Sequence, residues 1–229
     1  MTFRLTSCYW SVTGRRYLLV SNVSRGQNGP VTQAADQSAP LLPPRERILA
    51  AARALFYAEG IRAVSVDEIA SAAQTNKMTL YRHFESKDRL VTEYLRALAA
   101  EAETVWAEIA LAHPRSPLTQ LRAWIRHMGE RLSDPQNRGC PMANAAVELT
   151  DKDHPARTVI ELHKLRQREH LLLLCRESGF SEPERLADAI FLLIEGARID
   201  IQSVGPRGPG ARLVSTAFAL LDAHSRRMN

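Results

Sequence analysis

The sequence predicts an all-α fold of about nine helices, with an N-terminal three-helix headpiece followed by a longer helical domain. From about residue 43 onward, apolar residues recur at three- and four-residue spacing, as in helices packed on one side. The breaks between these segments fall at residues that end helices or favour turns, such as Gly60, His113-Pro114 and Gly179. We find no internal repeat and no strand pattern. Together these observations favour helices throughout.

Residues 1–42 are predicted to be a disordered tail. They contain scattered Gly, Pro, Ser, Thr and Gln and no lasting apolar periodicity. Arg15, Arg16 and Arg25 could touch DNA outside the main site. The alternatives to that role are a tail without a role and a start codon assigned too far upstream.

The headpiece, residues 43–90, is predicted to contain three helices. The first covers residues 45–59 and ends at Gly60, the residue type preferred where a helix closes in a left-handed conformation. The second begins at Ser65, and Glu68 follows at the spacing of a capping box. A tight connection then leads to the third helix.

The third helix is polar over most of its surface. It is expected to begin at Asn76, a good N-cap residue, with Leu80 and Phe84 on its inner face. A helix this short, with this many outward polar groups, is a poor core element. It is a good candidate for a recognition helix in the major groove of DNA.

The remaining residues, 91–229, are predicted to form the second domain. The helix that leads out of the headpiece begins at Ser86, and a second capping box is expected at Ser181 and Glu184. The helices after the headpiece are expected at residues 86–111, 117–132, 142–149, 155–178, 181–204 and 211–225.

The excess positive charge lies in the N-terminal part of the chain. The formal net charge is +5, of which residues 1–42 carry +3, residues 43–98 carry +2, and the remainder is neutral. A polyanion would therefore bind the tail and headpiece.

Several other function classes find no support in the sequence. Three cysteines have no metal-ligand spacing, so no metal and no cofactor are expected, and their odd number suggests a reducing compartment. No apolar run has the length of a membrane span, so we expect a cytoplasmic protein without membrane contact. Motifs of nucleophilic, phosphate-binding or zinc-dependent catalysis are missing, so no catalytic residue is assigned and no enzyme is expected.

Residues 45–95 resemble the DNA-binding domain of the TetR family of bacterial transcriptional regulators. The resemblance is carried by ALFYAEG, SVDEIA, Lys77, TLYRHF and SKDRL, and TLYRHFESK is its most specific part. Two positions depart from the family pattern. Gln74 stands where the family usually has Gly in the turn, and Met78 stands where a small residue is common. Gly in the turn would supply a positive φ without strain, whereas other residues adopt it less often.

The resemblance implies that Tyr81, His83 and Lys87 contact phosphates, with help from Ser65 at a helix N-terminus. Base edges are better assigned by chemistry, because a lysine can donate to guanine and a methyl or thioether can contact thymine. Those assignments fall on Thr75, Lys77 and Met78. The whole set expected at DNA is Ser65, Thr75, Asn76, Lys77, Met78, Thr79, Tyr81, His83 and Lys87.

In the family, the last two long helices form a four-helix bundle with a second copy of the chain. Here both helices are apolar over much of their circumference, more than a one-sided surface helix needs. Burial inside one subunit is the alternative. The residues expected at the dimer interface are Leu186, Ile190, Ile194, Ala197, Ile201, Leu213, Ala217, Phe218 and Leu221.

The family also implies a cavity within the C-terminal helices for a small-molecule effector, whose identity the sequence leaves unknown. Each candidate residue could instead be simple core. The expected lining residues are Trp106, Trp124, His127, Met128, Met142, Asn144 and His163.

The sequence thus predicts a homodimeric, ligand-responsive repressor that binds a palindromic operator in double-stranded DNA. One alternative is a DNA-binding protein without an effector. The other is a helical small-molecule-binding protein or enzyme with a vestigial headpiece.

Overall fold

The computed structural model describes residues 8–12, 15–19 and 42–224. The chain divides into two compact units, Met1–Pro43 and Pro44–Asn229.

The first unit contains a two-stranded antiparallel hairpin. Strand β1, Cys8–Val12, pairs with β2, Arg15–Leu19, so that Val12 lies opposite Arg15. These strands correct the expectation that the chain has no strand. The two segments are rich in aromatic and branched residues, which favour strands, and two residues separate them, the spacing of a tight hairpin. For the other residues up to 41, the predicted disorder lies outside the described residues.

The second unit is all-helical, as predicted. It holds nine α-helices and one 3-10 turn, Pro209–Arg212, in the part of the chain that the structure describes. The helices are α1 Pro44–Glu59, α2 Val66–Ala72, α3 Lys77–Phe84, α4 Lys87–Ala112, α5 Pro117–Leu132, α6 Pro141–Glu148, α7 Pro155–Glu177, α8 Pro183–Ser203 and α9 Leu213–Ala223.

The predicted helix starts in the headpiece are confirmed by their hydrogen bonds. The hydroxyl of Ser65 accepts from the backbone N–H of Glu68 at 3.2 Å, and the Glu68 carboxylate accepts from the backbone N–H of Ser65 at 2.7 Å. Asn76 and Ser86 cap α3 and α4 through their side-chain oxygens. Gly60, after α1, has a φ of 93°, the left-handed conformation predicted for it.

The second predicted capping box does not form. Helix α8 begins one residue later, with Glu182 as its N-cap and Pro183 in its first turn, and without a side-chain cap. Glu184 instead accepts two hydrogen bonds from Arg176, the shorter at 2.6 Å. A tertiary ion pair has therefore taken the carboxylate that the local pattern assigned to capping.

Two apolar clusters hold the helices together. The first joins α1, α2 and α3 to the beginning of α4, and it also includes Met142, Ala145 and Ile160 from α6 and α7. The second joins α5, α8 and α9 to the later part of α7 and to Trp106 of α4. Helices α4 and α7 thus run from one cluster to the other.

Candidate nucleic-acid interface and cavity

Helix α3 is fixed by its inner face and open on its outer face. Leu80 and Phe84 are buried in the headpiece core, as predicted. Lys77, Met78 and Tyr81 are exposed, and Met78, on the side opposite the buried face, has 82% of its surface accessible. A rigid helix with exposed polar and thioether side chains is the arrangement that a major-groove reader needs.

The turn before α3 has the conformation that the sequence comparison with the family anticipated. Gln74 adopts a φ of 51°, in the left-handed region. Its backbone N–H donates to Ser71 O at 3.0 Å, and that of Thr75 donates to Ala70 O at 2.9 Å. The turn is therefore closed by backbone hydrogen bonds although it lacks glycine.

The charged groups beside α3 differ in their surroundings. Lys77 donates from Nζ to Asp67 at 3.1 Å, and this hydrogen bond raises the pKa of the exposed lysine. Burial lowers the pKa of Lys87, in the first turn of α4, although Asp88 and other nearby carboxylates oppose that effect. Both residues lie where the predicted DNA contacts require positive charge.

Two predicted phosphate contacts are less available than the sequence suggested. The Ser65 hydroxyl is engaged with Glu68, to which it donates at 2.8 Å while capping α2. The Nε2 atom of His83 is buried and makes no hydrogen bond to any described residue. Contact from His83 to a phosphate would therefore require its other ring nitrogen.

The other predicted DNA contacts remain near α3. Thr75 and Thr79 are half-buried, while Asn76 is exposed and uses its side-chain oxygen to cap the helix. Sequence reasoning omitted Arg82, an exposed arginine beside Tyr81. Its position two residues before the buried Phe84 on a short helix was the signal that could have identified it.

A cavity of about 160 Å³, partly open to solvent, lies among α4, α5, α6, α7 and α8. Five of the seven predicted effector-binding residues line it, and these are Trp124, His127, Met128, Met142 and His163. A wider depression of about 860 Å³ lies elsewhere, between the end of α5 and the segment that joins α8 to α9.

The other two predicted lining residues do not line this cavity. Trp106 stacks on Trp124 with ring centroids 3.7 Å apart and so lies behind the wall. The side-chain amide of Asn144 donates to the carbonyl of Arg138 at 2.8 Å, and Asn144 lies in a shallow depression beside Tyr57. Asn144 is on a different face of α6 from Met142, which the sequence pattern did not reveal.

Arg198, which lines the cavity, belongs to a group of ion-paired side chains beside it. Glu195 of α8 pairs through one oxygen with Lys164 at 2.6 Å and through the other with Arg198 at 2.6 Å. Next to them, burial and the two cations lower the pKa of His163 to about 4, so its imidazole is neutral near pH 7. Burial also lowers the pKa of His127.

The predicted dimer residues lie mostly in the core of the single chain, which corrects that assignment. Seven of the nine are buried there, with Ile201 and Phe218 partly buried. The exposed apolar residues of α8 are Leu192, with 67% of its surface accessible, and Ile199, with 55%. These lie on the opposite face of the helix, separated by the exposed Gly196.

The described residues hold neither a metal site nor a membrane span. In the described part of the chain, no three His, Cys, Asp or Glu side chains are gathered as a metal site would require. Among the same residues, no helix is both long and apolar enough to cross a bilayer.

Comparison with known proteins gives a consistent result. The family model for bacterial regulatory proteins of the tetR family matches residues 48–94. A TetR-family transcriptional regulator from Streptomyces coelicolor has a similar structure, with 27% identity, a TM-score of 0.73, and coverage of 78% of this chain and 94% of that chain. A protein from Streptomyces avermitilis assigned to the same regulators is 30% identical, with a TM-score of 0.64 and coverage of 81% and 100%.

Relatives compared by sequence are also regulators. The HTH-type transcriptional repressor DhaR of Mycobacterium sp. (strain GP1) is 22% identical over 78% of this chain and 92% of its own length. An uncharacterized HTH-type regulator of Lactococcus lactis is 27% identical over 51% of this chain. In that case the match spans only 60% of the relative's length.

Proposed function

The chain belongs to the TetR family of bacterial transcriptional regulators, and from this premise we propose that it is a homodimeric, ligand-responsive repressor of a palindromic operator. It is a regulator and not an enzyme, as are the relatives that it matches. We place its action in the cytoplasm, where it would meet double-stranded DNA.

The observation that carries the DNA-binding role is the exposed face of α3. Lys77, Met78 and Tyr81 are exposed on a helix that Leu80 and Phe84 hold in the headpiece core. Lys77 can exchange its ion pair with Asp67 for a guanine edge or a phosphate, because exposed ion pairs contribute little stability. Tyr81 can donate to a phosphate from the same face.

The support for a dimer comes from the exposed side of α8. Leu192, Gly196 and Ile199 fall on one face, since they are spaced by four and three residues. A glycine inside a helix costs about 1 kcal/mol relative to alanine. Apart from the backbone of its own helix, no described residue lies within 4 Å of where a Cβ of Gly196 would be, so close packing among these residues does not offset this cost. A second copy packed against this face would approach the glycine closely and cover both exposed apolar side chains.

Two headpieces held by such a dimer would bind two half-sites related by a two-fold axis, hence a palindromic operator. The cavity gives the proposed response to a ligand. A ligand that binds more tightly to one spacing of the headpieces would shift the population of dimers toward that spacing. DNA would be released if this spacing no longer matched the two half-sites.

The test is binding of the purified protein to DNA from upstream of its own gene, followed by fluorescence anisotropy over a range of salt concentrations. Tyr81→Ala and Lys87→Ala should weaken binding to all sequences, and Lys87→Ala should reduce the salt slope by about one. Lys77→Ala should instead change which bases are preferred.

The matched control is Arg176→Ala, which removes an exposed positive charge at the far end of α7. It should leave operator binding unchanged. If the three α3 and α4 variants bind like the wild type, or if Arg176→Ala weakens binding equally, the assignment of this face is wrong. A protein that binds its operator but responds to no small molecule would support the alternative of a DNA-binding regulator without an effector.

A further inference from the structure

The charged residues that line the cavity are Arg131, Arg198 and Glu101. Arg198 shares the single carboxylate of Glu195 with Lys164, and these three side chains each have less than a quarter of their surface exposed. Glu101, which also lines the cavity, is already paired with Arg53 of α1. Two arginines and one carboxylate that is already paired give the lining an excess of positive charge.

Lys164 and Arg198 also donate hydrogen bonds to weak acceptors. Arg198 donates from a second guanidinium nitrogen to the sulfur of Met128 at 3.2 Å. Lys164 donates to the sulfur of Cys140 at 3.3 Å. Thioether and thiol sulfurs are weak acceptors. A carboxylate oxygen placed in the cavity would accept a stronger, charge-assisted hydrogen bond from Arg198 than Met128 does.

Two neutral polar side chains face the same cavity without partners. His163 and Gln167 lie one turn apart on α7, line the cavity, and expose only 8% and 7% of their surface. Within the described chain, neither the imidazole nor the amide makes a hydrogen bond. Neither side chain has a polar atom among the buried atoms that lack a hydrogen-bond partner, so both are open to the cavity. A ligand with polar atoms could therefore bond to them in place of water.

The remaining wall is apolar and of limited size. Trp124, Met128 and Met142 contribute flat and flexible apolar surface, and Trp106 supports Trp124 from behind. The volume of about 160 Å³ is close to that of an engineered cavity, about 150 Å³, that binds benzene. One six-membered ring with a small substituent would fill this space.

We propose that the cavity binds a small monoanion, a ring compound carrying one carboxylate, and that this class of compound is the effector. The carboxylate would accept from Arg198 and from the Gln167 amide, and the ring would lie against Trp124. This inference rests on the proposed ligand-responsive function. It goes beyond that function by assigning the chemical class of the ligand and the residues that select it.

Isothermal titration calorimetry on the full-length protein tests the proposal, with benzoate, the neutral isostere benzamide and the cation benzylamine as probes. We expect benzoate to bind at least about tenfold more tightly than benzamide, since a hydrogen bond to a charged group is stronger by roughly that factor. Benzylamine should not bind. Equal binding of benzoate and benzamide, or binding of none of the three, would overturn the proposal, and this comparison requires no variant.

Variants then locate the selectivity. Arg198→Gln should remove the preference for benzoate, while Arg176→Gln, an exposed arginine on α7, should retain it. Gln167→Glu adds a carboxylate to the cavity and should abolish benzoate binding. If Arg198→Gln keeps the wild-type preference, the anion is bound elsewhere and the proposal fails.

Release of operator DNA is measured separately, so the two proposals can fail independently. Release by benzamide but not by benzoate would leave the regulator intact and refute the anionic effector. A preference for benzoate in a protein that binds no upstream DNA would instead refute the proposed repressor and retain the anion site.

Discussion

Replacing His163 by Gln should make the stability of the protein less sensitive to acid. His163 is buried against Lys164 and Arg198, and burial together with these cations lowers its pKa from 6.5 to about 4, although Glu103 and Glu195 act in the opposite direction. In the unfolded chain the pKa returns to its ordinary value. Between these two values the unfolded state binds more protons than the folded state, so the free energy of unfolding falls as pH falls.

The size of this effect follows from the difference of about 2.5 between the two pKa values, at about 1.36 kcal/mol for each pH unit. The wild type should therefore lose up to about 3 kcal/mol more than His163→Gln between about pH 6.5 and pH 4. This is an upper value, since water that enters the cavity would solvate the imidazolium. The stability that neutral His163 contributes is fully present above about pH 6.5, and it is lost as the pH falls to the folded-state pKa of about 4.

Urea denaturation of both proteins at equal concentration over this pH range measures the difference directly, because His127 and every other titrating group are common to both. The ring proton signals of His163, followed by NMR, give the folded-state pKa without unfolding. Parallel stability profiles, or a His163 signal that titrates near its ordinary pKa, would refute the reasoning.

Four other substitutions test separate parts of the structure. Leu192→Glu should convert the dimer to a monomer in sedimentation, because the charge would be buried between two copies without a partner, whereas Leu111→Glu, at another exposed leucine, should not. Ile194→Glu places the charge in the core of one subunit and should abolish the cooperative thermal transition, so a folded monomer would contradict the burial found there. Gln74→Gly should raise the free energy of unfolding by up to about 1 kcal/mol, since left-handed backbone costs about 1–2 kcal/mol in other residues and glycine offsets part of the gain. Ser65→Ala should lower it by about 1 kcal/mol through loss of the cap, and an unchanged urea midpoint would contradict this.

The features that the sequence predicted well depend on local interactions. Ser65 and Glu68 are three residues apart, so the capping box needs no information from the rest of the chain. The same holds for Asn76 and for the left-handed Gly60. The capping box expected at Ser181 failed because Glu184 found a partner on another helix, which no local pattern contains.

The dimer assignment failed for a geometric reason. Helix α8 is apolar on two opposite faces, and periodicity identifies both faces without saying which one packs inside the subunit. The side that meets α5, α7 and α9 holds Ile190 and Ile194, and the side left open holds Leu192 and Ile199. The cavity residues were found in part because aromatic and polar residues stand out on apolar helices. The pairing of Lys164 and Arg198 on Glu195 joins two helices and could be seen only in the structure.

In the proposed response to a ligand, helix α6 is the element that would connect the cavity to the headpiece. Met142, near the start of α6, lines the cavity and also belongs to the apolar cluster that joins α1, α2 and α3 to α4. The segment before the helix is held by the Tyr57 hydroxyl of α1, which accepts from the backbone N–H of Arg138 at 2.7 Å. At the end of the helix, the Glu148 carboxylate accepts from the backbone N–H of Arg62, between α1 and α2, at 2.8 Å. Allosteric coupling typically amounts to about 1–3 kcal/mol. Detaching α6 would cost these two hydrogen bonds, at about 1 kcal/mol each, together with the apolar contacts of Met142. Breaking the contacts between α6 and the headpiece would therefore cost at least as much free energy as the coupling has to supply. A ligand that displaces α6 would move the headpiece with it.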